Sequence, residues 1–429
     1  MSAVLYSTTG SNRRINTSIA VTIANANVYQ TLFIASYATW LISQLFAGSF
    51  LGVRLGAVNT LLHYGGFLGA AFSYLTAGKW HAGELAAFSL TFVLSLNAAF
   101  IGVSNLLETI LLVYCGRRLD FRKIAWTSLI VSTSALFVVV AASQLGIIEN
   151  YISASEYGRT REYLGFLYAL QPAQILFNIT CLACYLWKGR MGLGLGSLLI
   201  LCNVLMYQAT DSRLSAGIAI LVVGCTLLLR ISPIAHAMKA VLGIIAPISY
   251  IACFVISWVI TVGYNRLDGF YANLNYILGN RLFWGQLALD NYGTGLFGQR
   301  IEFIGSGLTA EGRLADVGSY NYVDMLFIKL PIEYGWLFTI VTIVLISYIA
   351  LLAIRSKDYS LAIVLTAIAA HCLIDDLAIQ LQFNSFLFLA GVACLRSGKN
   401  KPLDSNSVDN NALKGPQFGK GVEVDAKLK

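Results

Sequence analysis

The chain has 429 residues, of which 57% are hydrophobic and 12% are charged, and its formal net charge is +8. A soluble globular domain is about 45–50% apolar and about 25% charged, so this composition excludes an ordinary soluble fold and indicates a polytopic membrane protein. The positive charge does not indicate nucleic-acid binding, because the basic residues stand in short gaps between apolar runs, where they anchor a membrane protein.

Apolar runs of a length suited to the bilayer recur along the chain. About 20 apolar residues in a helix cross the hydrocarbon core, and a membrane-spanning backbone must satisfy its own hydrogen bonds. We therefore predict an all-α, polytopic membrane bundle of about twelve transmembrane helices. The predicted spans, with one long run divided in two at Ser104 and Asn105, are Val28–Phe50, Ala57–Leu75, Ala86–Cys115 (divided), Ala125–Ile147, Leu164–Trp187, Leu193–Ala209, Leu214–Leu229, Val241–Gly263, Trp336–Ile354, Leu361–Leu377 and Phe383–Leu395.

Lysine and arginine mark alternate gaps between these runs, from Arg117 and Arg118 to Arg396 and Lys399. Because basic residues are enriched in cytoplasmic loops, this alternation predicts a multi-pass protein of the cell membrane with both termini in the cytoplasm. Residues 1–398 form the predicted membrane domain. The polar tail at 399–429 is predicted to be disordered cytoplasmic chain.

The opposite face carries one long segment, Tyr264–Gly335. At about seventy residues it is too long for a simple connection, and such loops are usually functional or disordered. Its many Tyr, Trp, Phe and Leu residues argue against disorder. We predict a folded external loop that contains short helices.

Several arginines fall on this external face, against the usual distribution of positive charge. They are Arg159, Arg161, Arg213, Arg266, Arg281, Arg300 and Arg313. Arg161, Arg213 and Arg281 each precede an apolar helical run, and the planar guanidinium matches two phosphate oxygens at once. These three are predicted to bind a lipid pyrophosphate. The alternative is that each extends to lipid headgroups or pairs locally, as Arg161 could with Glu162.

Five stretches, in order, resemble Wzy-type polysaccharide polymerases of Gram-positive capsule and exopolysaccharide clusters. The stretches are LGIIENYISASEYGRTREYLGFLYALQPAQILF, YQATDSRLSAGIAIL, GNRLFWGQLALDNYGTGLFGQ, YNYVDMLFIKLPIEYG and HCLIDDLAIQLQFNSFLFL. The resemblance extends from Leu145 to about Leu395, whereas the first 120 residues match only as hydrophobic spans.

The resemblance implies polymerisation of lipid-linked repeat units at the outer surface, by transfer of a glycan from undecaprenyl pyrophosphate to a sugar hydroxyl. The related O-antigen ligases are inverting glycosyltransferases that need no metal, so neither a metal nor another cofactor is expected. Expected partners are the lipid-linked oligosaccharide, the growing polysaccharide, the bilayer, and flippase and chain-length regulator proteins. Arg161, Arg213 and Arg281 are expected to stabilise the pyrophosphate leaving group. Residues expected to bind substrate are Arg159, Arg266, Tyr163, Tyr322 and Asp375. The alternative for the two tyrosines is anchoring at the membrane interface.

Two residues are candidates for the general base that takes the acceptor proton: Asp324 and His371. Asp324 is favoured, because it stands in the external loop, whereas His371 is expected roughly 8–10 Å below the mouth of the bundle, within its helix. The alternatives are that Asp324 pairs with Lys329 or caps a helix, and that His371 is a core histidine. Asp375 could cap its helix. In the ligases a histidine occupies the position of Tyr320, so the base cannot be carried over from that family.

Three other functions share much of this pattern. An O-antigen-type ligase shares nearly every feature. A lipid-linked oligosaccharide flippase should show repeated halves and polar groups at the membrane midplane, and the sequence has no convincing repeat. A purely structural membrane protein would not need so many external arginines.

Overall fold

The computed structural model describes residues 9–74, 82–154, 160–314 and 320–394. Helices dominate these residues, as predicted. The first half contains α1 (Thr9–Ala47), α2 (Phe50–Leu55), α3 (Ala57–Ser73), α4 (Ala82–Ile101), α5 (Ser104–Gly116), α6 (Phe121–Gln144), α7 (Gln171–Trp187), α8 (Leu193–Thr210) and α9 (Arg213–Leu228). The second half contains α10 (Ser232–Val262), α11 (Gly269–Ile277), α12 (Arg281–Tyr292), α13 (Leu326–Lys329), α14 (Gly335–Arg355), α15 (Tyr359–His371) and α16 (Phe388–Cys394).

Within the described residues, four helical runs are long and apolar enough to cross a membrane: α6, α8, α10 and the run from Leu326 to Arg355. Shorter apolar helices lie at Phe88–Ile101, α5, α9 and α15. The long helix α10 exposes a row of large apolar side chains that includes Ile244, Ile248 and Val259. Exposed apolar surface on this scale is typical of a protein that contacts lipid.

Helices α7 and α15 form the centre of the molecule. Every residue of α7 from Gln171 to Leu186 is buried, and α15 is buried along most of its length. α7 packs against α6, α8, α9 and α15. A helix that is apolar on all sides belongs in such a core.

Helix ends differ from the predicted spans at many places, and three predicted spans contain several residues that are not α-helical. Leu164–Trp187 is helical only from Gln171, because Leu164 and Gly165 have positive φ values of 51° and 85° and the chain there follows a strand. Leu361–Leu377 ends as a helix at His371. Phe383–Leu395 becomes α-helical only at Phe388, after a turn. The predicted ends were wrong because they were based on apolar composition. A buried irregular segment can be as apolar as a membrane-spanning helix.

A short antiparallel ribbon precedes α7. It pairs β1 (Ile152–Ala154) with β2 (Thr160–Glu162), and Ser153 lies opposite Arg161. β2 also contacts α8, so the ribbon packs against the helical bundle.

The predicted external loop contains two helices, α11 and α12, as expected, followed by mostly irregular chain. Asp268 caps α11 by accepting hydrogen bonds from the backbone N–H groups of Phe270 and Tyr271, which are otherwise unsatisfied at a helix start. The loop ends earlier than predicted, because helix resumes at Leu326, continues as one π-helical turn at Leu330–Tyr334 and runs into α14. A small core around Leu282, Val323 and Ile328 holds this region to the bundle.

Candidate functional site

A cavity of about 160 Å³ lies where the loop between α12 and α13 meets the chain before α7 and the chain after α15. Two backbone hydrogen bonds fix its walls: the Leu308 amide donates to the Leu167 carbonyl over 2.7 Å, and the Leu326 amide donates to the Cys372 carbonyl over 3.2 Å. The residues that line it are Tyr168, Gln174, Gly305, Ser306, Gly307, Tyr320, Tyr322, Asp324, Asp375, Asp376 and Leu377.

Arg281 connects three segments at this cavity. It is the first residue of α12, and its Nε donates to the Ile374 carbonyl over 2.8 Å. One terminal nitrogen donates to the Leu278 carbonyl over 3.0 Å, and the other lies 3.5 Å from a carboxylate oxygen of Asp324. The guanidinium therefore stands directly behind a carboxylate of the cavity wall, and both side chains are only about one-fifth exposed (19% and 20%).

The surroundings of Asp324 adjust its acidity in opposite directions. Burial raises its pKa, the Arg281 guanidinium lowers it, and the neighbouring carboxylates of Asp376 and Asp375 raise it, which together bring the pKa to about 6. A general base is most effective when its pKa lies near the working pH. Asp324 is thus mainly ionised at neutral pH and still able to accept a proton.

Asp375 also lines the cavity. One of its oxygens accepts a hydrogen bond from Gln174, and the other accepts from the Leu377 amide over 3.0 Å, which caps the short turn that follows. Burial, and then repulsion from the Asp376 carboxylate, raise the pKa of Asp375 to about 7. This carboxyl group is therefore partly protonated at neutral pH.

Asp376 belongs to a second, more deeply buried ion network. The Lys329 ammonium donates to an Asp376 oxygen over 2.7 Å and lies 3.7 Å from Glu333. The Tyr322 hydroxyl donates to the same Asp376 oxygen over 2.7 Å. A buried charge is costly without a partner, so this network fixes the turn after α15 against the run that begins with α13.

His371 lies outside the cavity wall. It is the last residue of α15, whereas the sequence predicted that the helix continues to Leu377. Its ring stacks on Phe177 with centroids 4.6 Å apart. Its Nε2 forms a 2.9 Å hydrogen bond with the Ser215 hydroxyl, and its Nδ1 is 3.8 Å from Asp375. The histidine contacts the cavity through Asp375.

The other predicted residues are distributed around the same end of the bundle. Arg213 is exposed and pairs with Asp211 over 3.2 Å. Arg161 is half-buried on β2, and Arg266 is exposed. Tyr163 is buried edge-on against Tyr151, with ring centroids 5.0 Å apart. None of these four lines the cavity, and Arg159 falls outside the described residues. The structure brings Arg281, Asp324, Asp375 and Tyr322 together.

Sequence reasoning assigned no site role to Lys329, Gln174 or Tyr168. The sequence offers Lys329 only as an alternative partner of Asp324, whereas in the structure Lys329 pairs with Asp376. An ionisable residue inside an apolar run is a functional candidate by default, and Lys329 and Glu333, spaced i and i+4 in LFIKLPIEYG, carry that signal. Gln174 is uncharged, but as a polar residue inside the apolar run of α7 it carries a similar signal.

In the described part of the chain, no group of three or more His, Cys, Asp or Glu side chains is arranged to hold a metal ion. Comparison with known protein families, curated proteins and solved structures finds no match to this chain.

Proposed function

We propose that this chain is a membrane-embedded polysaccharide polymerase. It joins undecaprenyl-pyrophosphate-linked repeat units by metal-independent, inverting glycosyl transfer at the outer face of the cell membrane. The proposal includes the twelve membrane passes and the cytoplasmic termini expected from the sequence, with the helix bounds given above. The resemblance over Leu145 to Leu395 and the chemistry of the cavity support it.

The observation that carries the proposal is the pair formed by Asp324, which lines the cavity, and Arg281, which stands behind it. It combines a carboxylate whose pKa is about 6 with a permanent cation 3.5 Å away. Glycosyl transfer from a lipid diphosphate needs a base for the acceptor hydroxyl and positive charge for the leaving group. The Asp324 carboxylate lines the cavity, and the Arg281 guanidinium stands 3.5 Å from it, outside the cavity lining.

In the proposed reaction the acceptor oxygen forms a bond to the anomeric carbon of the donor glycan as the bond from that carbon to the diphosphate breaks. The Asp324 carboxylate takes the proton of the acceptor hydroxyl. The lipid diphosphate leaves with the electron pair, and the Arg281 guanidinium stabilises its charge. Attack opposite to the leaving group inverts the anomeric centre.

The position of the polar residues favours an enzyme over a transporter. Arg281, Asp324 and Asp375 lie before α13 or after α15, outside the long apolar helices. A transporter typically places its substrate site near the membrane midplane, between repeated halves.

The test is synthesis of polymer by the purified protein from its lipid-linked repeat unit. Removing a positioned general base commonly costs about 10²–10⁴-fold in rate, so Asp324→Asn should abolish the glycan ladder at equal expression. Asp290→Asn is the matched control, because Asp290 is an exposed aspartate of α12 away from the cavity, and it should keep the wild-type rate. A near-native ladder from Asp324→Asn would refute the role of Asp324 as base, and no ladder from the wild-type protein would refute the function.

A further inference from the structure

The described wall of the cavity presents hydrogen-bond acceptors and no cationic side chain. Three carboxylates line it, Asp324, Asp375 and Asp376, whereas Arg281 and Lys329 pair with those carboxylates from behind and do not line the cavity. A ligand in the cavity therefore meets negative charge first.

Gln174 adds an acceptor without a partner. Its side-chain nitrogen donates to Asp375, but its Oε1 is buried and has no hydrogen-bond partner among the described residues. The residue is only 3% exposed. A buried acceptor in this state is costly. A small rotation of the Gln174 amide toward the cavity that it lines would let a ligand hydroxyl donate to it.

The size and the aromatic content of the cavity restrict the ligand further. One water molecule needs about 10–15 Å³ of accessible space, so about 160 Å³ holds on the order of ten waters or one small ring. Three tyrosines line it, and the ring of Tyr320 is braced edge-on by Trp284 with centroids 4.8 Å apart. Aromatic faces beside hydrogen-bond acceptors are suited to a polyhydroxylated ring, which has apolar faces and hydroxyl donors at its edge.

We propose that the cavity binds one uncharged sugar ring through hydroxyls that donate to Gln174 and Asp375, and that it rejects sugars bearing a carboxylate or phosphate. Identifying this ring as the acceptor rests on the proposed function; its binding does not. An acidic sugar would place like charge beside three carboxylates, whose paired cations lie outside the cavity lining. Acidic sugars of a repeat unit, and the lipid diphosphate, would then bind outside the cavity.

Binding of simple glycosides to the purified full chain in lipid nanodiscs tests this inference. The probes are matched pairs of methyl glycosides of glucose, galactose and mannose and of the corresponding uronic acids, measured by saturation-transfer NMR at pH 8. We expect at least one neutral glycoside to bind, and its uronate to bind roughly tenfold or more weakly because of charge repulsion.

Variants locate the signal in the cavity. Gln174→Leu should weaken neutral-glycoside binding, and Asp375→Asn should narrow the difference between the neutral and acidic members of a pair. Asp290→Asn should change neither, and melting temperatures identify any variant that fails to fold. Equal or tighter binding of the uronates, binding unaffected by both cavity substitutions, or no binding of any glycoside would overturn the inference.

This result is separable from the polymerase assay. Selective glycoside binding without a glycan ladder would leave the cavity assignment standing and refute the proposed reaction. A ladder from a protein that shows no preference for neutral sugars would support the proposed reaction and refute the cavity assignment.

Discussion

Asp324 and Asp375 lie in the same cavity but differ in their partners. Asp324 has a guanidinium 3.5 Å away, whereas the polar contacts of Asp375 are Gln174, a backbone amide and His371 at 3.8 Å. The carboxylate with the permanent cation ionises at the lower pH, with a pKa of about 6 against about 7. Two carboxyl groups whose pKa values differ in this way can take different roles in one site.

Asp375 should make stability depend on pH. Its pKa is raised in the folded state to about 7, from an ordinary value of 3.8, so the folded protein binds this proton more tightly than the unfolded chain does. The resulting stabilisation is complete below about pH 4 and is lost as the pH rises through about 7. Asp375→Asn should therefore raise the melting temperature at pH 8 by several degrees relative to wild type, and by less at pH 5.

Thermal unfolding in one detergent at both pH values measures this effect. Asp290→Asn is again the control and should leave the pH dependence of wild type unchanged. A destabilised Asp375→Asn protein at pH 8 would show that the carboxylate is needed in its charged form.

At the scale of elements, the turn Gly293–Gln299 determines how α14 begins. The carbonyl groups of Gly295 and Leu296 accept hydrogen bonds from the Trp336 and Leu337 amides, over 2.9 and 3.0 Å. The backbone N–H of Gln299 in turn donates to the backbone carbonyl of Glu333 over 3.0 Å. The LFGQ turn thus satisfies backbone groups where the π-helical turn passes into α14, which the first turn of a helix cannot do by itself.

Gly298 is the position that permits this contact. Its φ is +77°, and a Cβ atom added there would lie 2.2 Å from the Glu333 carbonyl oxygen. Gly298→Ala combines backbone strain, about 1–3 kcal/mol for such a conformation, with a clash against backbone. We expect a loss of at least about 2 kcal/mol in the free energy of unfolding.

Gly217→Ala is the matched control, because a Cβ atom at this helical position meets nothing within 4 Å. Alanine should be neutral there, or stabilising by up to about 1 kcal/mol. The comparison is made by denaturant unfolding in micelles. Equal stability of the two variants would mean that the turn adapts and does not determine the start of α14.

At the scale of the whole molecule, the ion network of Lys329, Asp376 and Glu333 joins parts of the chain that are distant in sequence. Lys329 ends α13, and Asp376 follows α15. Removing one partner of a buried ion pair commonly costs about 3–5 kcal/mol, because the charge of the other partner stays buried without compensation. Lys329→Met should therefore destabilise the protein by an amount on the order of 3–5 kcal/mol.

A double-mutant cycle isolates the pair from the packing of each side chain. The double variant Lys329→Met with Asp376→Asn should recover part of the stability lost by Lys329→Met alone, since Glu333 is then the one carboxylate of the network left without Lys329. Unfolding free energies of the four proteins give the coupling. Additive losses would show that the two groups do not stabilise each other despite their 2.7 Å contact.

The sequence by itself determined the helical class, the approximate positions of most helices and the existence of a structured segment after Tyr264. These properties depend on local hydropathy, which the chain carries independently of its fold. It also indicated Arg281, Asp324 and Asp375, because charged residues beside apolar runs are rare and costly.

Only the tertiary structure decided which charges pair and which groups line the cavity. Arg281 pairs with Asp324 and Lys329 with Asp376, His371 ends its helix, and Arg161 and Arg213 lie outside the cavity wall. Each of these facts depends on distances between residues far apart in the chain, which no local pattern encodes. Helix ends at Leu164–Leu170 and beyond His371 were misplaced for a related reason: hydropathy does not distinguish chain buried in lipid from chain buried in protein.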